Sequence, residues 1–160
     1  MQVFAASDIV EVAIRIEENG INFYKFAEQL AKQEDAKKLF IHLAEAEAGH
    51  KRTFEKLFAA MEKFAPPEQY AGEYSAYLRS YVDNNLIFTK EIMDKQLAAV
   101  TDTPAAFAFA MQRELDSILY YHEIKNLVPQ SQHETIEKII EEERKHYAIL
   151  CDMKKRYTKQ

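Results

Sequence analysis

The sequence predicts an all-α chain of four long helices, with a long helical crossover between the second and third. Three observations point there. Only three Gly and four Pro occur in 160 residues, too little punctuation for a many-stranded sheet. Apolar residues recur at three- and four-residue steps through four long segments. Residues 65 to 103 form a connection too long to be structureless in a compact domain, so one or two crossover helices belong there. The length fits a single domain spanning residues 1–160, large enough to bury a core without disulfides.

The first helix is announced by a cap at Ser7 and Asp8, after which Ile9, Ala13, Ile16, Gly20, Phe23, Ala27 and Leu30 line one face. The polar run Lys32 to Asp35 ends it at about residue 32. The second covers about 35 to 64, with Phe40, Leu43, Ala44, Phe54, Leu57, Phe58 and Met61 on its stripe. It stops before Pro66 and Pro67, because a residue preceding proline is biased out of helix. Tyr74, Tyr77, Leu78, Tyr81, Leu86, Ile87, Ile92, Met93 and Leu97 give the crossover an apolar spacing of its own. Thr103 as cap with Pro104 in the first turn starts the third long helix, which runs to about 127 through Phe107, Ala110, Ser117, Tyr121 and Ile124. Ser131 with Glu134 reads as a capping box for the fourth, about 132 to 157, striped by Ile136, Ile139, Ile140, Ile149, Leu150 and Met153.

Composition excludes several classes of function. The net charge of −5 argues against a nucleic-acid partner. Lys154, Lys155, Arg156 and Lys159 read as cations favourably placed at a helix C-terminus. The most apolar stretch, Ala105 to Met111, is far short of the roughly 20 residues of a membrane span, and the first ten residues lack the pattern of a secretory signal. A cytoplasmic location without membrane contact is the expectation. Cys151 is the single cysteine, so no Cys-x-x-Cys iron, zinc or dithiol site exists within these residues.

The chemistry lies in two Glu-x-x-His pairs, Glu47 with His50 and Glu143 with His146. On a helix this spacing puts both side chains on one face, able to hold one metal ion together. Both pairs lie inside apolar stripes, where a carboxylate is rarely found unless paired or metal-bound. Glu17 and Glu114 stand on the inward stripes of helices one and three. The strings Ala13, Glu17, Gly20, Tyr24 and Ala110, Glu114, Ser117, Tyr121 correspond at an offset of 97 residues, and the Glu-x-x-His pairs at 96. The chain therefore reads as a duplicated two-helix unit. One Glu from each of two helices and one Glu-x-x-His from each of the others is the donor set of dinuclear carboxylate bundles. Four carboxylates neutralise two divalent ions, two of them can bridge, and the imidazoles complete the set. The metal ligands expected are Glu17, Glu47, His50, Glu114, Glu143 and His146.

Around them, Tyr24 and Tyr121 stand two turns beyond Glu17 and Glu114; each is either a phenol donor to a ligand carboxylate or an ordinary core tyrosine. Gly20 and Gly49, inside helices at a cost of about 1 kcal/mol each, give either space for a small oxidant or close helix packing. Glu18, Glu45, Glu141 and Glu142 point off the stripe toward solvent. His42, His122 and His133 lack the paired spacing, and Cys151 packs as a small apolar residue.

At Glu17, Glu47-x-x-His50, Glu114 and Glu143-x-x-His146 the chain resembles the rubrerythrin branch of the ferritin-like superfamily, over essentially its whole length. That resemblance implies a ferritin-like four-helix bundle holding two iron ions, with Glu17 and Glu114 as terminal ligands, Glu47 and Glu143 as bridges and one histidine on each ion. It implies a non-haem di-iron redox protein, an oxidoreductase of peroxidase or ferroxidase type reducing hydrogen peroxide or dioxygen. The electrons would come from an external donor such as a rubredoxin-like protein, because no rubredoxin module is present here. Oxidation and sequestration of ferrous iron, a dimanganese catalase-like activity and a metal-stabilised interaction module are the alternatives, and manganese or a mixed iron/manganese pair suits the same donors. A homodimer is the expected assembly. The chain departs from the family pattern at Ser117, where rubrerythrins carry an additional glutamate one turn after the terminal ligand.

Overall fold

The computed structural model describes residues 6–61, 76–77, 80 and 90–158. Five α-helices occur among them, and no strand. α1 spans Ala6–Leu30 and α2 Glu34–Met61; α3, Lys90–Leu97, is a short helix of the crossover; α4 spans Thr103–Lys125 and α5 His133–Thr158. Residues 62–64 of the predicted second helix lie outside the described residues, as does the apolar spacing of Tyr74, Leu78, Tyr81, Leu86 and Ile87. No described helix is long and apolar enough to cross a membrane.

Three helix starts differ from the sequence reading. α1 begins at Ala6, which leaves Asp8 in its first turn, where the helix dipole favours a carboxylate. The cap of α4 is Asp102, not Thr103: Asp102 has extended backbone and accepts from Ala105 N at 2.8 Å, while Thr103 and Pro104 are already in the first turn. Ser131 forms no capping box, because it sits in a 3₁₀ turn, Gln130–Gln132, that leads into α5. Glu134 pairs instead with Lys138 one turn on, at 2.8 Å. Lys155 and Arg156 do occupy the last turn of α5, as the helix dipole favours.

α1 packs along α2 and α4 along α5, each pair joined by a short connection and so antiparallel. α1 also lies beside α4 and α2 beside α5, which closes the four-helix square. The stripes meet in two apolar layers. One gathers Ile9, Val10, Ala13, Phe54, Tyr120, Ile124, Ile136 and Ile140; the other gathers Phe23, Ala27, Phe40, Leu43, Phe107, Ala110 and Leu150. Ile149, placed on the stripe by its spacing, is 40% exposed instead, because Leu150 takes the inward position. Cross-helix hydrogen bonds fix the stagger: Tyr120 Oη donates to Ile9 O at 2.8 Å, and Tyr157 donates to Asp35 at the start of α2.

Between the two apolar layers, at mid-bundle on all four long helices, lies a buried polar layer. Its members are Glu17, Glu47, His50, Glu114, Glu143 and His146, none more than 6% exposed.

Candidate metal centre

The four long helices deliver this layer because each places its polar residues one or two turns from apolar anchors on the same face: Ala13 and Phe23 around Glu17, Leu43 and Phe54 around the Glu47 pair, Ala110 and Tyr121 around Glu114, Ile140 and Leu150 around the Glu143 pair. Burying the anchors buries the acids with them. All six sequence-predicted ligand residues come together. They form two groups, Glu17, Glu47, His50 and Glu143, and Glu47, Glu114, Glu143 and His146, each with one donor atom per residue within 4.8 Å of the others. Glu47 and Glu143 belong to both groups. The two imidazole rings lie 5.8 Å apart, nearly parallel.

His50 turns Nδ1 toward the carboxylates, 3.3 Å from Glu143 Oε1 and 3.6 Å from Glu17 Oε2. His146 likewise turns Nδ1 inward, 3.0 Å from Glu143 Oε2, 3.7 Å from Glu47 Oε1 and 3.8 Å from Glu114 Oε2. The layer fits a metal. Four buried atoms have no hydrogen-bond partner: Glu17 Oε2, Glu47 Oε1, His50 Nδ1 and Glu143 Oε1, one from every member of the first group. A buried polar atom left unpaired costs about 1–3 kcal/mol. Divalent cations held by these oxygens and imidazole nitrogens would satisfy all four at once.

Both tyrosines are phenol donors, and they donate crosswise. Tyr24 of α1 donates to Glu114 of α4, and Tyr121 of α4 donates to Glu17 of α1. Each carboxylate is thus oriented by the opposite half of the duplication, and Tyr24 and Tyr121 are held in turn against Phe40 and Phe54. Burial, then the charge of the neighbouring glutamates, pushes both phenols well above 10, so they remain donors at neutral pH.

The two inner glycines do different work. A Cβ on Gly20 would stand 3.0 Å from Glu47 Oε2 and 3.2 Å from its Cγ, so this glycine makes room for the carboxylate itself. Gly49 lines a groove of about 380 Å³ beside His50, together with Ala46, Thr53, Lys138 and Glu142, and a Cβ there would meet Arg52 Nη2 at an ordinary 3.8 Å. Gly20→Ala is expected to displace Glu47 and to weaken metal binding ~10-fold, in the range for a disturbed ligand support, with the helix content unchanged. Unaltered affinity in a metal titration would show that Glu47 yields without loss.

The electrostatics of the metal-free layer set its response to pH. Burial pushes Glu47 well above the carboxylate range, reinforced by Glu143 and Glu17, and Glu114 is raised to about 8, by burial first and then by Glu143. Burial would raise Glu143 too, but the imidazoles of His146 and His50 win and lower it to about 2. Burial would lower both histidines; Glu143 and Glu17 overcome it at His50, raised to about 12, and Glu114 and Glu143 at His146, raised to about 9. At pH 7 these groups therefore hold protons that a metal must expel. Loading is expected to release protons, and apparent affinity is expected to fall as pH falls. Titration calorimetry in buffers of different ionisation enthalpy reads this directly, and identical heats in every buffer would contradict it.

The remaining candidates stay apart from the centre. His42, Glu18, Glu45 and Glu141 are exposed, with Glu18 paired to Lys51 at 3.2 Å and Glu141 to Arg144. His122 meets Arg144, and His133 meets Val128 O. Cys151 is a free, half-buried thiol. Glu142 is the exception to its solvated reading. Although exposed, its Oε2 lies 2.8 Å from His50 Nε2.

A four-helix bundle with a long second-to-third connection and a buried layer of four glutamates and two histidines defines a class: a ferritin-like carboxylate bundle with a dinuclear metal site. Within that class the chain matches the rubrerythrin family over residues 8–154 and belongs to it. It is also similar to a crystal structure from Thermotoga maritima described as a ferritin-like diiron-carboxylate protein, with 29% identity over 97% of each chain and a TM-score of 0.65. None of the curated proteins matches it in sequence.

Proposed function

We propose that this chain is a non-haem di-iron oxidoreductase that reduces hydrogen peroxide, or dioxygen in its place, with electrons from an external donor. The observation that carries the reading is the pair of donor groups sharing Glu47 and Glu143, an arrangement that would hold two ions close enough to act on one substrate. Family membership supports a redox role. Glu17 and His50 would serve one ion, Glu114 and His146 the other, and Glu47 and Glu143 both. When bound, the metal pair supplies two electrons, which with two protons convert hydrogen peroxide to two waters.

The protein's part is positional. Tyr24 and Tyr121 hold the terminal carboxylates by hydrogen bonds. The apolar layers on either side exclude bulk water, which strengthens every electrostatic contact within. The groove beside His50 gives a small solute a path from solvent to the edge of the layer. For re-reduction we propose a donor such as a rubredoxin-like protein, the one cysteine within these residues being too few for a cysteine-ligated iron site. A soluble homodimer in the cytoplasm is the setting in which we place it.

The test is stopped-flow oxidation of the iron-loaded, reduced protein. Peroxide is expected to oxidise it at least ~10-fold faster than dioxygen at equal concentration, each rate scaling with the transition-state difference. Faster reaction with dioxygen, with the iron retained as a large oxidised deposit, would point instead to iron handling.

A further inference from the structure

We infer that Glu142 is a positioning residue for His50, and that it makes the two halves of the centre unequal, so that the half built on Glu17 and His50 takes the first metal ion. The inference rests on the dinuclear reading above.

A neutral imidazole carries one ring proton, and the nitrogen without it is the one that can ligate. His50 offers two ring nitrogens to two different surroundings. Nε2 lies 2.8 Å from Glu142 Oε2 on α5, while Nδ1 faces Glu143 and Glu17 and makes no hydrogen bond. An ionised Glu142 can only accept from Nε2, so when a metal displaces the Nδ1 proton the remaining proton stays on the outer nitrogen and the Nδ1 lone pair is aimed into the layer. Lys138, the cation that lines the same groove, is engaged with Glu134 and leaves Glu142 to the histidine.

The duplication isolates this contact. Tyr24 on Glu114 is mirrored by Tyr121 on Glu17, so the phenols support both halves alike. Glu142 has no such counterpart. The residue 96 positions earlier is Ala46, whose methyl can accept nothing from His146 Nε2. Glu17 and His50, the two residues that belong to this half alone, each carry a buried atom with no hydrogen-bond partner, whereas His146 Nδ1 is already hydrogen-bonded to Glu143 at 3.0 Å. Both imidazoles must give up a proton to a metal, but only the second group must also break a hydrogen bond to receive its ion.

The test is an anaerobic cobalt(II) titration of the intact chain, followed by absorbance and by NMR of the exchangeable imidazole protons shifted by the bound ion. The native protein should fill in two steps at least ~10-fold apart, and Glu142→Ala should weaken the tighter step by ~10–100-fold, as for loss of a carboxylate supporting a ligand histidine, with the weaker step little changed. Glu142→Gln, which keeps an acceptor, should fall between. Of the two shifted N–H signals, the slowly exchanging one should exchange rapidly in Glu142→Ala, a change that loss of general stability would not produce. Ala46→Glu should draw the two steps together. Two equal steps in the native protein, or a Glu142→Ala variant with both steps and both N–H signals unaltered, would overturn the inference while leaving the dinuclear reading intact. No cobalt binding by the native protein would overturn both.

Discussion

Glu143→Ala is expected to empty both metal positions at once, taking the bound iron from about two ions per chain to nearly none. Glu143 is completely buried, belongs to both donor groups, and lies within 3.3 Å of both inward imidazole nitrogens. With an ion in each group, its loss would remove an oxygen ligand from both and about one charge of neutralisation between two cations. Glu47→Ala should behave in the same way, since Glu47 is the other shared member. Glu17→Ala and Glu114→Ala should differ in kind: each residue belongs to one group only, so about one ion per chain should remain. Metal analysis after anaerobic loading and desalting separates the cases. If Glu143→Ala kept about one ion, the two positions would be independent sites rather than one centre.

The second large effect is on stability. Without metal, the mid-bundle layer holds six ionisable side chains and four unpartnered polar atoms between two apolar layers, so the folded state carries a penalty that bound metal removes. A ligand that binds only the folded state, at about a thousand times its dissociation constant, contributes ~4 kcal/mol. In a chain of this size 1 kcal/mol moves the melting temperature by roughly 2–4 °C. Metal loading is therefore expected to raise Tm by about 10 °C, and chelation to reverse the rise. The increment should shrink to a few degrees in Glu143→Ala. An equal rise in that variant would mean that the metal stabilises from the surface and not through this layer.

Much of this was legible in the sequence, because helical geometry turns spacing into position. Glu-x-x-His inside an apolar stripe has one reading in space, and four such stripes converge wherever four helices bury them. The Glu17 and Glu114 assignments followed from the same register. What stayed hidden depends on how helices stagger against one another. The spacing places Tyr24 near Glu17 along one helix, yet its phenol crosses to Glu114, because the partner is chosen by the packing of α1 on α4. Glu142 stands one residue, about 100°, off its stripe, and only the approach of α5 to α2 brings it to His50. A signal for it did exist, in the mismatch between Glu142 and Ala46 at equivalent places in an otherwise well-matched repeat. Gly20 was read as open space or close packing, and the structure fills the place with the Glu47 carboxylate. At the start of α4, two neighbouring residues could both cap, and the backbone chose Asp102.

The central claim is that Glu47 and Glu143 join two metal ions into one centre at the middle of the bundle. Anomalous diffraction from crystals loaded anaerobically with ferrous iron tests it most directly. The account predicts two peaks about 3.5–4 Å apart, the spacing of two-metal sites, both lying between Glu47 and Glu143, one beside His50 and the other beside His146. A single peak, or peaks outside the layer enclosed by these four residues, would contradict it.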